Sequence, residues 1–527
     1  MKRKICILFV LFCAVNLCAQ DNLSALMPMP NNITQGKGIY HAKRSTLYTN
    51  SSSLDFAASQ LSAIWKEYFH EEKPTVSFTK ARTKLIVNPQ MGNRERYVLD
   101  VSTKGITIKG TTAAAVYHGV MTLWQILLGD VSHTKRGEIA CIHIDDTPRF
   151  GYRALMLDPA RNFLPLKDVK FYIDQMIRYK YNVLQIHLTD NEGWRIEIKK
   201  YPQLTKNGPF YTQEEMKDLI DYAAKRNVEI VPELDIPGHT AAFLAAFPEL
   251  ACTQWKDSVF APGKYNDCMV CMSKPETYNI YRDIINEVAK LFPSKRIHLG
   301  GDEAALNQNW SKCELCLATM KAKGYTKPSL LMNDFFAPIL ETTSKAGKKA
   351  ILWTELDNLY PPFSSYLFDY PKDVTLVTWR MQNTPTCLDY TYHSGNDIIM
   401  APGEYAYLDY PQLKGDLPEF NNWGMPLLTL TESYKFDPGY NLPPEQQKHI
   451  LGVMGTLWGE AMKDINRVCY MTFPRGLALS EAGWTQMKNR SWESFKQRMY
   501  PNLMWLMEHG VSVRAPFEIA PRTDNNN

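Results

Sequence analysis

Gly300-Gly-Asp-Glu303 sets two carboxyl groups side by side, directly after a glycine pair and at the end of the apolar run Arg296–Leu299. A like charge alongside a carboxyl favours the protonated form of its neighbour, so adjacent acids can be held in opposite protonation states. That is what general acid–base work on a bond cleaved by protonation requires. Consecutive side chains of a regular strand face opposite ways. Asp302 and Glu303 therefore share a cavity only if the strand ends or twists there, a freedom that two glycines provide. Taken alone, the tetrapeptide reads equally well as a tight turn bearing two surface acids.

Seven other apolar runs of strand type end on comparable residues. Ala154–Leu157 leads to Asp158 and Arg161, and Val183–Leu188 contains His187 and leads to Asp190. Val228–Leu234 carries Glu233 and leads to Asp235 and His239. Ala350–Trp353 leads to Glu355, and Thr375–Trp379 to Arg380. Asp397–Met400 leads through a loop to Tyr407 and Asp409, and Gly452–Trp458 to Glu460. One polar strand end is ordinary helix capping; a ring of carboxylates, His, Arg and Trp on successive ends is not. Helical periodicity falls between several of these runs, at Lys167–Tyr179, Gln213–Arg226, Glu276–Leu291 and Leu330–Ser344. Strands alternating with helices imply parallel pairing through right-handed crossovers. Eight such units over residues 150–490 predict an α/β fold, a (β/α)8 TIM barrel, with the strand ends gathered at one face. Ahead of it, residues 20–145 combine short strands, a hairpin of Tyr97–Val101 with Ile106–Ile108, and an amphipathic helix over Thr112–Leu128. This predicts a small α+β domain. Residues 491–527 read as a closing helical segment and a polar tail.

His298-Leu-Gly-Gly-Asp-Glu303 resembles the signature of glycoside hydrolase family 20, the β-N-acetylhexosaminidases. The resemblance extends over residues 150–490 through Asp158-x-x-Arg161, His187-Leu-Thr-Asp190, Pro232-Glu-Leu-Asp-Ile-Pro-Gly-His239, Trp353-Thr-Glu355, Tyr407-Leu-Asp409 and Trp458-Gly-Glu460. It implies an exo-acting, retaining enzyme that removes terminal β-linked GlcNAc or GalNAc. The substrate's own acetamido group acts as nucleophile, the exception to the two-carboxylate scheme of glycosidases. By resemblance, Glu303 is the general acid and base, Asp302 stays ionised to hold the acetamide, and Tyr407 donates to its carbonyl oxygen. Arg161, Asp409 and Glu460 bind sugar hydroxyls, and Trp353, Trp379 and Trp458 wall the pocket. Asp190 and His239 are assigned to the binding site as a chain, Asp190–His239–Glu303, that tunes the acid. Two alternatives stay open: disaccharide release in the manner of a lacto-N-biosidase, and a glycan-binding protein without catalysis.

The 527 residues are 45% hydrophobic and 22% charged, within the range of ordinary globular proteins. A net charge of +4, three charges of which are Lys2, Arg3 and Lys4, gives no electrostatic case for nucleic acid. No G-x-G-x-x-G, P-loop or H-E-x-x-H motif is present, so no cofactor is expected. Met1–Lys4 followed by the apolar Ile5–Val15 reads as a signal peptide over residues 1–19, with lipidation at Cys18 as a second reading. Export to the periplasm, cell surface or medium is the expectation. The pairs Cys268/Cys271 and Cys313/Cys316 are expected to form disulfides between the two segments, with structural zinc second and free thiols third.

Overall fold

Alternating apolar residues build the first sheet. In β4 (Tyr97–Ser102) and β5 (Gly105–Gly110), Leu99, Val101, Ile106 and Ile108 are buried on one face, and the strands pair antiparallel from Tyr97↔Gly110 to Ser102↔Gly105. The helix Ala113–Gly129 covers that face. It starts where the Thr112 side chain accepts from the Ala115 N–H, satisfying a donor that the first turn leaves open. It also lies very close to the sheet: a Cβ at Gly119 would stand 2.4 Å from Ile108 Cγ2. With β1 (Asn32–His41), β2 (Leu47–Thr49), β3 (Thr83–Val87) and β6 (Glu138–Asp146), the sheet has the order β1-β6-β4-β5-β3-β2. The computed structural model of the chain describes residues 23–42, 45–71, 74–93, 95–130, 137–265, 267–355, 369–413 and 424–516. The expected signal peptide, Cys18 and the end of the polar tail lie outside these residues.

Two compact units make up the chain. One holds the sequence up to Gly151 together with Met176–Lys180 and everything from Thr472 onward; the other holds Tyr152–Gln175 and Tyr181–Met471. The first unit therefore takes more of the C-terminal region than residues 491–527. The helix Arg475–Trp484, within the residues 150–490 read together from the sequence, is buried throughout its length in this unit. Its Trp484 indole donates to Asp146 Oδ2 (2.8 Å), and its Glu481 pairs with Arg498 (2.9 Å) of the helix Trp492–Glu508. Asp146, wholly buried, also accepts from the Tyr97 hydroxyl (2.8 Å) and the Asn31 amide (2.9 Å), with the Lys180 ammonium at 3.5 Å.

The second unit is the closed barrel. β7 (Tyr152–Leu157), β8 (Val183–His187), β9 (Glu229–Ile236), β10 (Arg296–Gly300), β11 (Lys349–Trp353), β12 (Thr375–Thr378), β13 (Ile398–Met400) and β14 (Ile450–Leu457) follow one another in chain order. All pairs are parallel, and β14 returns to β7 in register from Gly452↔Tyr152 to Leu457↔Leu157. Met156, Val231, Ile351, Val377 and Met454 fill the interior. The barrel is thus a packed scaffold with chemistry at one end. Among the described residues, no helix is long and apolar enough to cross a membrane.

Asp146→Ala removes the common acceptor of three donors and leaves Lys180 buried beside it. Breaking such a buried charge pair costs about 3–5 kcal/mol, and urea unfolding is expected to show a loss of that order. An unchanged midpoint would remove Asp146 from the centre of this unit.

Candidate active site

β10 ends in a left-handed turn. Gly300 and Gly301 lie at φ 66° and 97°, and Glu303 itself at φ 48°. Gly300 is required twice over, because a Cβ there would fall 1.6 Å from Asp235 Oδ1, the atom that accepts the Gly301 N–H at 3.3 Å. A Cβ at Gly301 would meet only ordinary contacts, so that position needs glycine for its φ alone. Glu303 is held in its strained backbone by an N–H bond to Glu355 Oε1 (3.3 Å). The turn brings both carboxylates to one imidazole: His239 Nε2 stands 3.7 Å from Asp302 Oδ2 and 3.6 Å from Glu303 Oε2. The two acids differ sharply in surroundings. The Asp302 side chain is 8% exposed and that of Glu303 52%.

Both acids line a cavity of about 580 Å³ together with Arg161, His239, Trp379, Tyr407, Asp409, Trp458 and Glu460. Arg161 is fixed by Asp158 (2.8 Å) and Asp190 (2.9 Å), while its Nε lies 3.4 Å from Glu460. Tyr407 is tied to the end of β14 by a bridge to Thr456 and stacks on Trp379 with a 15° angle between rings. Its hydroxyl is buried and has no hydrogen-bond partner of normal geometry among the described residues. A second cavity of about 280 Å³ shares Glu303, Arg161, His239 and Glu460, and is closed by Glu192, Asp267, Cys268 and Met269. Glu303 therefore lines both spaces, whereas Asp302 lines one.

Charge distribution follows burial and partners. Burial disfavours the His239 imidazolium, but Asp190, Asp235 and Asp302 outweigh it and hold its pKa well above the usual value. Asp190 accepts from His239 Nδ1 at 3.0 Å and lies well below the usual carboxylate range: Arg161 and His239 overcome its burial. Burial pushes Asp302 up to about 6, with His239 pulling the other way and Glu303 adding to the rise, so Asp302 is ionised above that pH. Burial also pushes Glu355 up to about 7, despite Arg380 at 3.1 Å.

Of the expected chain Asp190–His239–Glu303, the first link is a hydrogen bond of 3.0 Å, whereas His239 Nε2 makes no hydrogen bond among the described residues and stands at ion-pair distance from Glu303 (3.6 Å) and Asp302 (3.7 Å) alike. Asp190 does not line the cavity. It is wholly buried behind Arg161 and His239, and it fixes both. Trp353 also lies behind the lining: it is 1% exposed, donates to Glu233 Oε1 (2.8 Å) and packs against Trp379 and Trp458. Trp353 is deep because it is the last residue of β11, below the loop that follows, whereas Asp190 lies past the end of β8 and is turned inward by His187, Arg161 and His239. Glu233 is a buried acceptor for Gln185, Trp353 and His187, held at about 2: two histidines overcome its burial. Glu355 and Arg380, both read from the sequence as polar strand ends without a stated role, bracket Glu303.

The cysteine expectation changes. Sγ atoms of Cys252, Cys271, Cys313 and Cys316 converge, while Cys268 stands outside the group; all are free thiols, not disulfides. Cys252 carries no C-x-x-C spacing, and an antiparallel bridge from Ala251 to Val270 brings its segment beside Cys271.

Gly301→Ala should cost about 1–2 kcal/mol, the strain of a left-handed backbone. Gly300→Ala should cost clearly more, since overlap with Asp235 is added. Thermal denaturation of the two variants side by side checks the order; equal losses would contradict the turn.

Two family models match the chain. The catalytic domain of glycosyl hydrolase family 20 matches residues 150–487, and domain 2 of the same family matches residues 23–147. The chain is 34% identical over 431 residues to a beta-hexosaminidase of Akkermansia muciniphila, covering 79% of this chain and 84% of that protein. It is 32% identical over 485 residues to a beta-hexosaminidase of Vibrio furnissii, covering 87% and 76%. Among solved structures, an exo beta-N-acetylglucosaminidase from Vibrio harveyi in complex with N-acetylglucosamine superimposes with a TM-score of 0.80 at 29% identity, over 94% of this chain and 79% of that one. A mutant Streptomyces plicatus beta-hexosaminidase in complex with its product GlcNAc gives 0.80 at 28%, over 94% and 97%. Fold, strand-end residues and these matches agree: the chain belongs to glycosyl hydrolase family 20.

Proposed function

We propose that this glycoside hydrolase is an exo-acting, retaining β-N-acetylhexosaminidase that removes terminal β-linked GlcNAc or GalNAc by substrate-assisted catalysis. One observation carries the reading. A buried and a half-exposed carboxylate flank a single imidazole, and Tyr407, whose hydroxyl makes no hydrogen bond of normal geometry among the described residues, lines the same cavity.

The acetamido carbonyl oxygen of the bound sugar attacks its own anomeric carbon, and the bond to the leaving oxygen breaks. Glu303 gives that oxygen its proton; half exposed between two cavities, it reaches both the sugar and the departing group. Buried Asp302 accepts the acetamide N–H and stabilises the positive charge of the oxazolinium ring. Tyr407 donates to the acetamide oxygen and aligns it. Glu303, now a carboxylate, takes a proton from the water that opens the ring with retention. Arg161 and Asp409 fix ring hydroxyls. Glu460 closes the pocket beside Arg161, which favours release of one sugar over a disaccharide. Export is part of the proposal and rests on the basic, then apolar, N-terminal segment; fractionation of expressing cells tests it.

The purified chain should release nitrophenol from the aryl β-GlcNAc and not from the aryl β-glucoside. Equal cleavage of both would refute anchimeric help from the acetamide. Tyr407→Phe should lower kcat by about 10²–10³, the usual loss for one aligned donor, with little change in KM. Asp302 works in its charged form, which prevails above its pKa of about 6. kcat/KM should therefore fall as pH drops below about 6, and Glu192→Gln should keep that limb. A profile flat down to pH 5 would contradict the role given to Asp302.

A further inference from the structure

We propose that Cys252, Cys271, Cys313 and Cys316 form a structural zinc site that clamps together the two loops following β9 and β10. Their four Sγ atoms lie within 4.8 Å of one another, and all four residues are wholly buried. Cys271 Sγ stands 3.7 Å from both Cys313 Sγ and Cys316 Sγ. Tetrahedral zinc with bonds of about 2.3 Å places its sulfurs about 3.8 Å apart. A disulfide, by contrast, unites two sulfurs at about 2.05 Å and excludes a third. Here Cys271 is equidistant from two partners, which is a shared centre and not a pairing.

Buried free cysteine is common and is often only a small apolar residue. This chain supplies its own comparison. Cys141, Cys268 and Cys469 are also buried, yet among the described residues none joins such a group. The converging four come from separate stretches held in register by backbone bonds. Cys271 N–H donates to Leu250 O (2.8 Å), which brings the Cys252 segment alongside. Cys313 and Cys316 sit at the start of the helix Glu314–Lys323, three residues apart and so on one side of it.

The surroundings suit thiolates. Thr253 N–H points at Cys313 Sγ (3.5 Å), and the helix start adds partial positive charge. The Lys274 ammonium, bonded to Ala251 O (2.8 Å), adds a cation beside the Cys252 segment. Binding needs no oxidant: four thiols release four protons, and four thiolates around Zn²⁺ leave a net charge of −2. Soft sulfur ligands in tetrahedral array select zinc over oxygen-seeking cations.

The clamp has a consequence at the active site, one that rests on the proposed function. Asn309, between Glu303 and Cys313, accepts the Met269 N–H (3.1 Å), and Trp310 donates to Val270 O (3.0 Å). Asp267, Cys268 and Met269 are thereby fixed as the wall of the second cavity, facing Glu303. The metal holds the space for the departing group without touching substrate.

Full-length protein purified without chelator should carry about one zinc per chain by elemental mass spectrometry. Cys252→Ser and Cys316→Ser should bring this near zero and lower Tm, whereas Cys268→Ser should keep the metal. Should the variants fail to fold, the wild-type chain still decides. Alkylation in denaturant with chelator and no reductant, followed by peptide mapping, should label all four cysteines. Metal-free protein, or cysteines labelled only after reduction, would overturn the site. Activity on the aryl β-GlcNAc is read separately, so loss of the zinc proposal leaves the catalytic one standing, and the reverse.

Discussion

Successive side chains of an extended strand diverge, yet the chemistry at this barrel needs two successive acids on one substrate. The left-handed turn of Gly300, Gly301 and Glu303 resolves the conflict, and much of the site is arranged to hold it. Asp235 fills the space that a Cβ at Gly300 would occupy and accepts the next amide. Glu355 accepts the amide of Glu303, and Arg380 neutralises Glu355 in turn. Backbone strain of this kind persists only where the surroundings over-determine it.

Once the turn is set, burial separates the two acids. Asp302 lies under Glu303 beside the imidazole that both approach, and its low exposure raises its proton affinity while the His239 cation opposes the rise. Asp190 is the anchor of this arrangement. Its two oxygens engage His239 on one side and Arg161 and His187 on the other, linking the proton-handling half of the pocket to the sugar-binding half. A change at Asp190 would therefore disturb Arg161 and His239 together.

The walls follow the same logic at larger scale. Tryptophans on strand ends give flat apolar surface suited to the C–H face of a sugar. Trp353, one layer down, carries Trp379 and Trp458 and is itself oriented by Glu233. The loops after β9 and β10 are joined where Asn309 accepts the Met269 N–H and Trp310 donates to Val270 O, and their cysteines converge nearby.

Strand period, helix period and the order of polar strand ends were enough to read the barrel from the sequence, because those signals are local in the chain. Observed strand boundaries fall within two residues of the runs read from apolar pattern. Asp302, Glu303 and Arg161 were singled out for a related reason, each lying just past an apolar run, whereas Tyr407 lies beyond a loop and was singled out by resemblance. Depth was not legible. Whether Asp190 and Trp353 meet the cavity or stand behind it depends on barrel tilt and on neighbouring side chains. Nor was Cys252 legible as a partner of Cys271, since a bridge across an irregular loop, not a spacing, unites them. The fate of Arg475–Trp484 was likewise hidden, because an apolar helix pattern states that a face will be buried but not against which core. Local periodicity is written in the order of residues, whereas depth and partnership arise only when distant segments compete for the same space.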